Sequence, residues 1–295
     1  MSKRLFLRAV LLTALFVSAT DAQQWRPVNG SRQSNISGIA LISHDKKSST
    51  FLVAHDNKKK EQTHAGILTI EGSNAPTYEP LKWSGNDVPT DIEAAAAIPG
   101  TAGQFLLFTA AGRVFHVQLE TAAKQLTLIR SYDVPAIPAG ADFEGFDLQL
   151  IDGSLIAVWG DRGETEKPAT LFWGRLNLST GAISDVRASK FSVPFPGANV
   201  RHISDIKVDP TGGVFITSAS DPGNGGPFSS AMYYAGVISM AADRSFVFAR
   251  PTVFTPLYRF AYHKVEAFDF VPGADGGLVF GTDDEDLGAS ILLTF

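Results

Sequence analysis

The chain has 295 residues with 25 basic and 30 acidic side chains, enough to bury the core of one large domain without cross-links. It contains no cysteine, which excludes thiol catalysis, disulfide bonds and zinc–thiolate sites. The formal net charge of −5 argues against a nucleic-acid-binding protein, because such proteins present a basic face to phosphate groups.

Residues 1–22 have the pattern of a secretory signal peptide. Three basic residues in MSKRLFLR precede the apolar segment AVLLTALFVSA, which is shorter than a typical membrane-spanning helix. Thr20-Asp21-Ala22 supplies a small-residue cleavage site. Cleavage removes three basic residues and one acidic residue, which leaves a net charge of about −7. We therefore predict a single domain at 23–295, exported without a membrane anchor and either secreted or periplasmic. An uncleaved anchor is the alternative.

Strand signals dominate the rest of the chain. Short runs rich in Phe, Val, Ile and Leu alternate with turns of Gly, Pro, Asp and Asn, as in FLVAHD, QFLLFTAAG, SLIAVWGD and GLVFGTDD. The Ala-rich run Ala94 to Ala97 is too short and too close to Pro99 for a good helix. The sequence predicts an all-β protein.

A repeat of more than 50 residues runs through these strands. Each unit begins with a similar strand, and the five versions are NISGIALI from Asn35, DIEAAAAI from Asp91, DFEGFDLQ from Asp142, HISDIKVD from His202 and KVEAFDFV from Lys264. Four strands per unit at this period is typical of a propeller blade. The last unit is one strand short, and Gln24 to Val28 can supply the missing strand. We predict a five-bladed β-propeller closed by this N-terminal strand, with six blades as the alternative.

The third position of each first strand is polar, and the five residues are Ser37, Glu93, Glu144, Ser204 and Glu266. First strands of blades line the central channel, so these side chains form a ring, which we call the channel ring. Three carboxylates in a narrow channel repel one another unless a positive charge lies between them. Oxygen-only ligands suit a hard cation, and calcium fits such a flexible ring better than zinc or magnesium. The alternative is that these residues hydrogen-bond to the next blade, with the carboxyls bridged by water or protonated.

The order Ser, Glu, Glu, Ser, Glu resembles the soluble calcium-activated apyrases, which are secreted five-bladed propellers that hydrolyse nucleoside di- and triphosphates. KVEAFDFV resembles their final-blade strand, and FLVAHDNKKK resembles the acidic tip of their first blade. The resemblance implies a calcium ion in the channel and a phosphate-bearing small molecule as substrate. A looser resemblance to phytase-like propellers also points to phosphate esters.

The tips of the second strands and the residues before each ring position are expected to meet on one face of the propeller. Arginine suits a bidentate grip on phosphate, and a carboxylate can orient or deprotonate water. We predict that Arg162 and Arg201 bind phosphate and that Asp161 or Asp56 lies near the attacking water. The alternative is turn chemistry, with Arg162 and Asp161 forming an ordinary ion pair in WGDRGE.

Two other functions compete with a calcium-dependent phosphate hydrolase. The first is a glycoside hydrolase in which Glu93, Glu144 and Glu266 serve as acid, base and helper, although aromatic residues are sparse at the tips. The second is a non-catalytic binding or scaffold protein in which calcium links the blades. The sequence has no P-loop, GxSxG elbow or HExxH motif.

Overall fold

Twenty-two β-strands and three short 3₁₀ helices form the regular structure of a computed structural model, which describes residues 24–28, 32–135, 137–274 and 276–294. The short helices are η1 (Arg32–Ser34), η2 (Thr121–Ala123) and η3 (Glu285–Leu287). Within these ranges there is no α-helix, and hence no helix that could span a membrane. The predicted signal peptide at 1–22 lies outside the described residues.

The strands form five sheets that follow one another along the chain, apart from β1, and they are antiparallel except where β6 joins β10. The first blade contains β2 (Gly38–His44), β3 (Ser48–Ala54), β4 (Ala65–Glu71) and β5 (Thr77–Pro80). The second contains β7 (Ile92–Ala97), β8 (Gln104–Thr109), β9 (Arg113–Glu120) and β10 (Gln125–Asp133), with β6 (Lys82–Ser84) added parallel to β10. The third contains β11 (Phe143–Ile151), β12 (Ser154–Asp161), β13 (Ala169–Asn177) and β14 (Ala182–Phe191).

The fourth blade contains β15 (Val200–Val208), β16 (Gly213–Ser220), β17 (Ser229–Met240), β18 (Phe246–Ala249) and β19 (Pro256–Ala261). The fifth contains β20 (Val265–Val271), β21 (Gly277–Thr282), β22 (Ala289–Leu293) and β1 (Arg26–Val28). The first strands contact one another in sequence, and β20 contacts β2, so the ring of five blades is closed. The prediction of a five-bladed β-propeller is confirmed.

The N-terminal strand closes the ring as predicted. β1 pairs antiparallel with β22, with Val28 opposite Ala289, and completes the four strands of the fifth blade. Val28 is fully buried in the core between the fifth and first blades. β1 thus becomes the outermost strand of the fifth blade, and the edge of β22 that faces away from the channel is paired.

Each pair of neighbouring blades encloses its own hydrophobic core, and there are five such cores in the described chain. Near the axis the first strands approach one another so closely that at some positions only glycine fits. A Cβ atom on Gly38 would lie 2.7 Å from the backbone carbonyl carbon of Ala94, and one on Gly145 would lie 2.6 Å from the backbone nitrogen of Ile206. The Ala94 to Ala97 run therefore belongs to an inner strand, where small residues allow close packing.

Candidate functional site

Four of the five channel-ring positions lie where the pairing between first and second strands is irregular. The register shifts at Glu93, Glu144, Glu266 and across a longer stretch that includes Ser204. A bulge leaves one residue outside the ladder and changes the direction of its side chain. In the third blade, Phe143 and Phe146 therefore pack in the same inter-blade core, while Glu144 lines the channel. This accounts for a carboxylate within an apolar strand.

The three ring glutamates open into a cavity of about 340 Å³, which we call the channel cavity. Nine carboxyl groups line it: Asp56, Asp91, Glu93, Asp142, Glu144, Asp221, Glu266, Asp283 and Glu285. Five cationic groups line it as well: Arg32, Lys58, Arg162, Arg201 and Lys264. Nine acids against five bases leave a formal excess of four negative charges, which favours proton uptake or cation binding.

Arg201 supplies the positive charge between two of the ring glutamates. Its Nη1 lies 3.1 Å from Glu144 Oε1 and 3.0 Å from Glu266 Oε1, and its Nη2 donates to Asp221. The arginine side chain is 16% exposed, whereas both glutamate side chains are 3% exposed. Charge-assisted bonds in such a buried place are strong and hold the side chains in one arrangement.

Arg162 and Lys264 extend this network, Arg162 at Glu144 and Lys264 at Glu266. Arg162 donates to Glu144 Oε1 at 3.0 Å and pairs with Asp142 at 2.9 Å. Lys264 Nζ lies 3.3 Å from Glu266 Oε1 and 2.5 Å from Glu285 Oε1. Glu144 and Glu266 are therefore each in contact with two cationic side chains.

Glu93 differs from the other two ring glutamates because it has no hydrogen bond or ion pair with a described residue. Burial raises the pKa of Glu93 well above its usual value, and the neighbouring charges of Glu144, Asp56 and Glu266 raise it further. Burial also raises the pKa of Glu144, but Arg201 and Arg162 oppose that shift. Glu93 is thus the ring carboxyl best suited to keep its proton at neutral pH.

The two ring serines behave differently from each other. Ser204 Oγ donates to the carbonyl oxygen of Val265 at 2.9 Å, in the next blade, as the hydrogen-bonding alternative predicted. Ser37 Oγ is buried and has no hydrogen-bond partner, and the same is true of Glu144 Oε2.

These atoms test whether the channel ring fits calcium. No three His, Asp or Glu side chains in the described ranges are arranged to hold a metal ion. Two of the five predicted ligands, Glu144 and Glu266, use an oxygen to pair with Arg201. Calcium prefers oxygen ligands such as the unpartnered oxygens of Ser37 and Glu144. Arg162 and Lys264 also contact Glu144 and Glu266, however, so cationic side chains already balance the charge of these two ring carboxylates. Calcium binding stays a prediction.

The predicted catalytic residues fall into two groups. Asp56, Arg162 and Arg201 line the channel cavity, and burial raises the pKa of Asp56 to about 6. Asp161 does not line it: its Oδ1 accepts a hydrogen bond from the Gly163 backbone at 3.1 Å, and its carboxylate pairs with Lys167 at 3.3 Å. For Asp161 the structure agrees with the turn alternative, although its partner is a lysine and not Arg162.

A second polar layer, which sequence reasoning missed, lies next to the ring. The side chains of Asp147, Asp205 and Asp269 accept backbone N–H groups from the next blade, at Val208 (2.6 Å), Phe268 (2.9 Å) and Leu41 (2.7 Å). Lys207, 1% exposed, donates to the carbonyl oxygen of Ala95 at 2.6 Å, in the second blade. The repeated Glu-x-x-Asp spacing of Glu144 with Asp147 and Glu266 with Asp269 was the available signal.

The raised carboxyl pKa values predict that the free energy of unfolding decreases as the pH rises from about 6.5 to about 8. Burial raises the pKa of Asp147, Glu266 and Asp283 to about 7 and that of Asp205 to about 8. In the unfolded chain these carboxyls lose their protons near pH 4, whereas in the folded protein they keep them until about pH 7 or 8. Between these pH values the folded state binds more protons, so its free energy of unfolding decreases as the pH rises. Histidines with lowered pKa values, such as His55 at about 4, act in the opposite direction only below pH 6.5.

Urea unfolding of the calcium-free protein at several pH values measures this trend. A free energy of unfolding that stays constant or increases over the same interval would contradict the assignment of protons to the buried carboxyls.

No protein-family model matches the chain, and no curated protein matches it in sequence. Among solved structures it is similar to a GH43 endo-arabinanase from Bacillus licheniformis, with 13% identity, coverage of 92% of this chain and 95% of that chain, and a TM-score of 0.48. A GH43 β-1,3-galactosidase with galactodeoxynojirimycin gives 10% identity, coverage of 88% and 89%, and a TM-score of 0.48. The Bombyx mori GH32 β-fructofuranosidase gives 11% identity and 0.48, with 92% of this chain and 61% of that chain covered. Similarities this low say nothing about the reaction.

Proposed function

We propose that the channel cavity is the active site of a hydrolase that uses its ring carboxyls as acid and base, with glycosides as the substrate class. The observation that carries this proposal is the contrast between Glu93, which forms no ion pair with a described residue, and Glu144, which contacts two arginines. Environments that separate the protonation of two nearby carboxyls assign one as acid and the other as base. Glu93 is the general acid, Glu144 is the base or nucleophile, and Glu266 is the third carboxyl.

The charge of the cavity supports a neutral substrate. With Glu93 protonated, eight acidic groups in its wall still face five basic ones, so a bare phosphate group would enter against net repulsion. A sugar carries no charge, and its hydroxyl groups can donate to carboxylates and accept from Arg162, Arg201 and Lys264. The leaving group then needs a proton to depart, and Glu93, as the general acid, supplies it.

The test is hydrolysis by the mature protein of aryl glycosides that differ in sugar and anomeric configuration, with a chelator present. Turnover in chelator of at least one glycoside with a poor leaving group, lost in Glu93→Gln, supports the proposal. The exposed carboxylate of Glu79 pairs with Lys124 and does not line the channel cavity, so Glu79→Gln is the matched control and should retain full turnover. Absence of turnover on the whole panel refutes the glycoside assignment.

The unpartnered oxygens of Ser37 and Glu144 favour a second candidate, a calcium-dependent hydrolase of nucleoside di- and triphosphates or other phosphate esters. Ser37, Glu93, Glu144, Ser204 and Glu266 would hold the ion. Calcium would offset the acidic charge of the cavity and polarise a phosphoryl oxygen. Arg162 and Arg201 would bind phosphate oxygens, and Asp56 would orient water.

Phosphate release separates the two candidates. Nucleoside di- and triphosphates and simple phosphate monoesters are assayed with calcium and with chelator, beside the glycoside panel. Calcium-dependent phosphate release that is lost in Glu144→Gln supports the second candidate. Inactivity towards both substrate classes, with calcium bound, leaves the scaffold role as the better description.

A further inference from the structure

Each blade places one residue, just after the end of its second strand, in the wall of the channel cavity. We call these five residues the tip ring, and they are Asp56, Ala110, Arg162, Asp221 and Asp283. In three blades the same backbone hydrogen bond fixes this residue. Its N–H donates to the carbonyl oxygen two positions before the channel-ring glutamate, at 3.1 Å in the second blade and 3.0 Å in the third and fifth. The tip residues of these three blades are therefore structurally equivalent.

Ala110 is the exception in the tip ring, because the other four residues carry charged side chains. A comparison with the third blade shows what the second blade lacks. There Arg162 donates to Glu144, the channel-ring residue of its own blade, at 3.0 Å. The equivalent channel-ring residue of the second blade is Glu93, and an arginine at position 110 would reach it in the same way. The methyl group of Ala110 leaves this space beside Glu93 to the cavity.

We infer that the space beside Ala110 binds the leaving group of the glycoside, and that Ala110 determines how large a leaving group the site accepts. The inference rests on the proposed glycoside hydrolase and deepens it, because it orients the substrate in the cavity. A general acid must lie within hydrogen-bond reach of the oxygen that it protonates. With Glu93 as that acid, the leaving group points toward the second blade, and the sugar ring whose bond is cleaved lies between Glu93 and Glu144.

The walls of this part of the cavity favour a second sugar unit as the leaving group. Asp91, two positions before Glu93, pairs with Lys58 at 3.4 Å, and both side chains line the cavity. They are 34% and 74% exposed, so both can form hydrogen bonds with the hydroxyl groups of an incoming sugar. No aromatic side chain of the described chain lines the cavity, so an aromatic leaving group would find no apolar partner there.

The experiment compares two substrates of the same sugar, which the aryl glycoside panel identifies. One is the glycosyl fluoride, whose leaving group is a single atom. The other is a set of oligosaccharides that differ in linkage, whose leaving group is a sugar unit. Ala110→Met fills the space without adding charge. We expect it to lower kcat/KM for the best oligosaccharide by roughly 10- to 100-fold and to leave kcat/KM for the glycosyl fluoride nearly unchanged.

Ala111→Met is the matched control, because Ala111 is the next residue, is exposed and does not line the cavity. It should hydrolyse both substrates as the wild type does. Ala110→Ser adds little volume and should retain oligosaccharide turnover. Unchanged oligosaccharide turnover in Ala110→Met would overturn the inference. An equal loss on the glycosyl fluoride would overturn it as well, since it would show a general disturbance of the site.

The two substrate classes also separate failure of this inference from failure of the proposed function. If the wild type hydrolyses glycosyl fluorides or aryl glycosides but no oligosaccharide, the assignment of a sugar as leaving group is overturned, and the glycoside hydrolase stands. If the wild type hydrolyses none of these substrates, the proposed function is refuted, and the inference fails with it.

Discussion

Replacement of Glu93 by glutamine is expected to lower kcat/KM for glycosides with poor leaving groups by roughly 10²- to 10⁴-fold. Glutamine has nearly the same shape but cannot give a proton to the departing oxygen. The fold should persist, because Glu93 has no hydrogen bond or ion pair with a described residue that the substitution would break, and its burial already disfavours the charged form. The measurement is kcat/KM for a series of aryl glycosides of the sugar that the protein hydrolyses.

The dependence on the leaving group distinguishes acid catalysis from a general loss of structure. A 2,4-dinitrophenyl group departs without protonation, so Glu93→Gln should retain most of its activity on that substrate. The alkaline decline of the wild-type pH–rate profile should also disappear in the variant, since it reports the loss of the acid's proton. A uniform loss across the series, or an unchanged pH profile, would contradict the role assigned to Glu93.

Replacement of Lys207 by methionine is expected to lower the free energy of unfolding by about 3–5 kcal/mol at pH 8. Lys207 is the cationic side chain whose charge opposes the raised pKa values of Asp147, Asp205 and Asp269. Methionine keeps most of the volume but leaves the three carboxyls without a cation. Urea unfolding monitored by tryptophan fluorescence measures the loss.

The loss should shrink as the pH decreases. The pKa of Asp147 is about 7 and that of Asp205 about 8, so near pH 5 these groups are protonated and no longer need the ammonium group. Lys46→Met is the matched control: Lys46 is exposed, and the substitution should change the free energy by less than about 0.5 kcal/mol. A pH-independent loss would show that Lys207 acts through packing and its bond to Ala95, and not through charge.

The two polar layers of the channel have different roles: the second polar layer links the blades, and the channel ring contains unpaired groups. In the second polar layer, charged side chains hydrogen-bond to the backbone of other blades. Lys207 donates to a carbonyl oxygen of the second blade, and Asp269 of the fifth blade accepts a backbone N–H of the first. The channel ring keeps unpaired groups instead, among them Glu93 and the buried hydroxyl of Ser37. Unsatisfied polar groups lower stability, and they are typical of places where a ligand completes the bonding.

The sequence alone determined the architecture, because it depends on local periodicity. Strand alternation, turn residues and the repeat predicted five blades, and a missing strand at the C-terminus predicted that Gln24 to Val28 closes the ring. The same alignment found the polar positions from Ser37 to Glu266. A carboxylate that interrupts an apolar strand, as Glu144 does, was enough to mark the site.

Only the tertiary structure decided which charges meet. Arg201 reaches Glu266, 65 positions along the chain, because the irregular pairing after Arg201 and the closure of the ring bring both to the axis. Asp161 carries a signal similar to that of Asp56, yet it turns toward Lys167 and away from the cavity. Such contacts join different blades or depend on the direction of one turn. The periodicity of residues within a strand does not reveal which blades meet or which way a turn points. The free energy of a buried charge depends on both of these features.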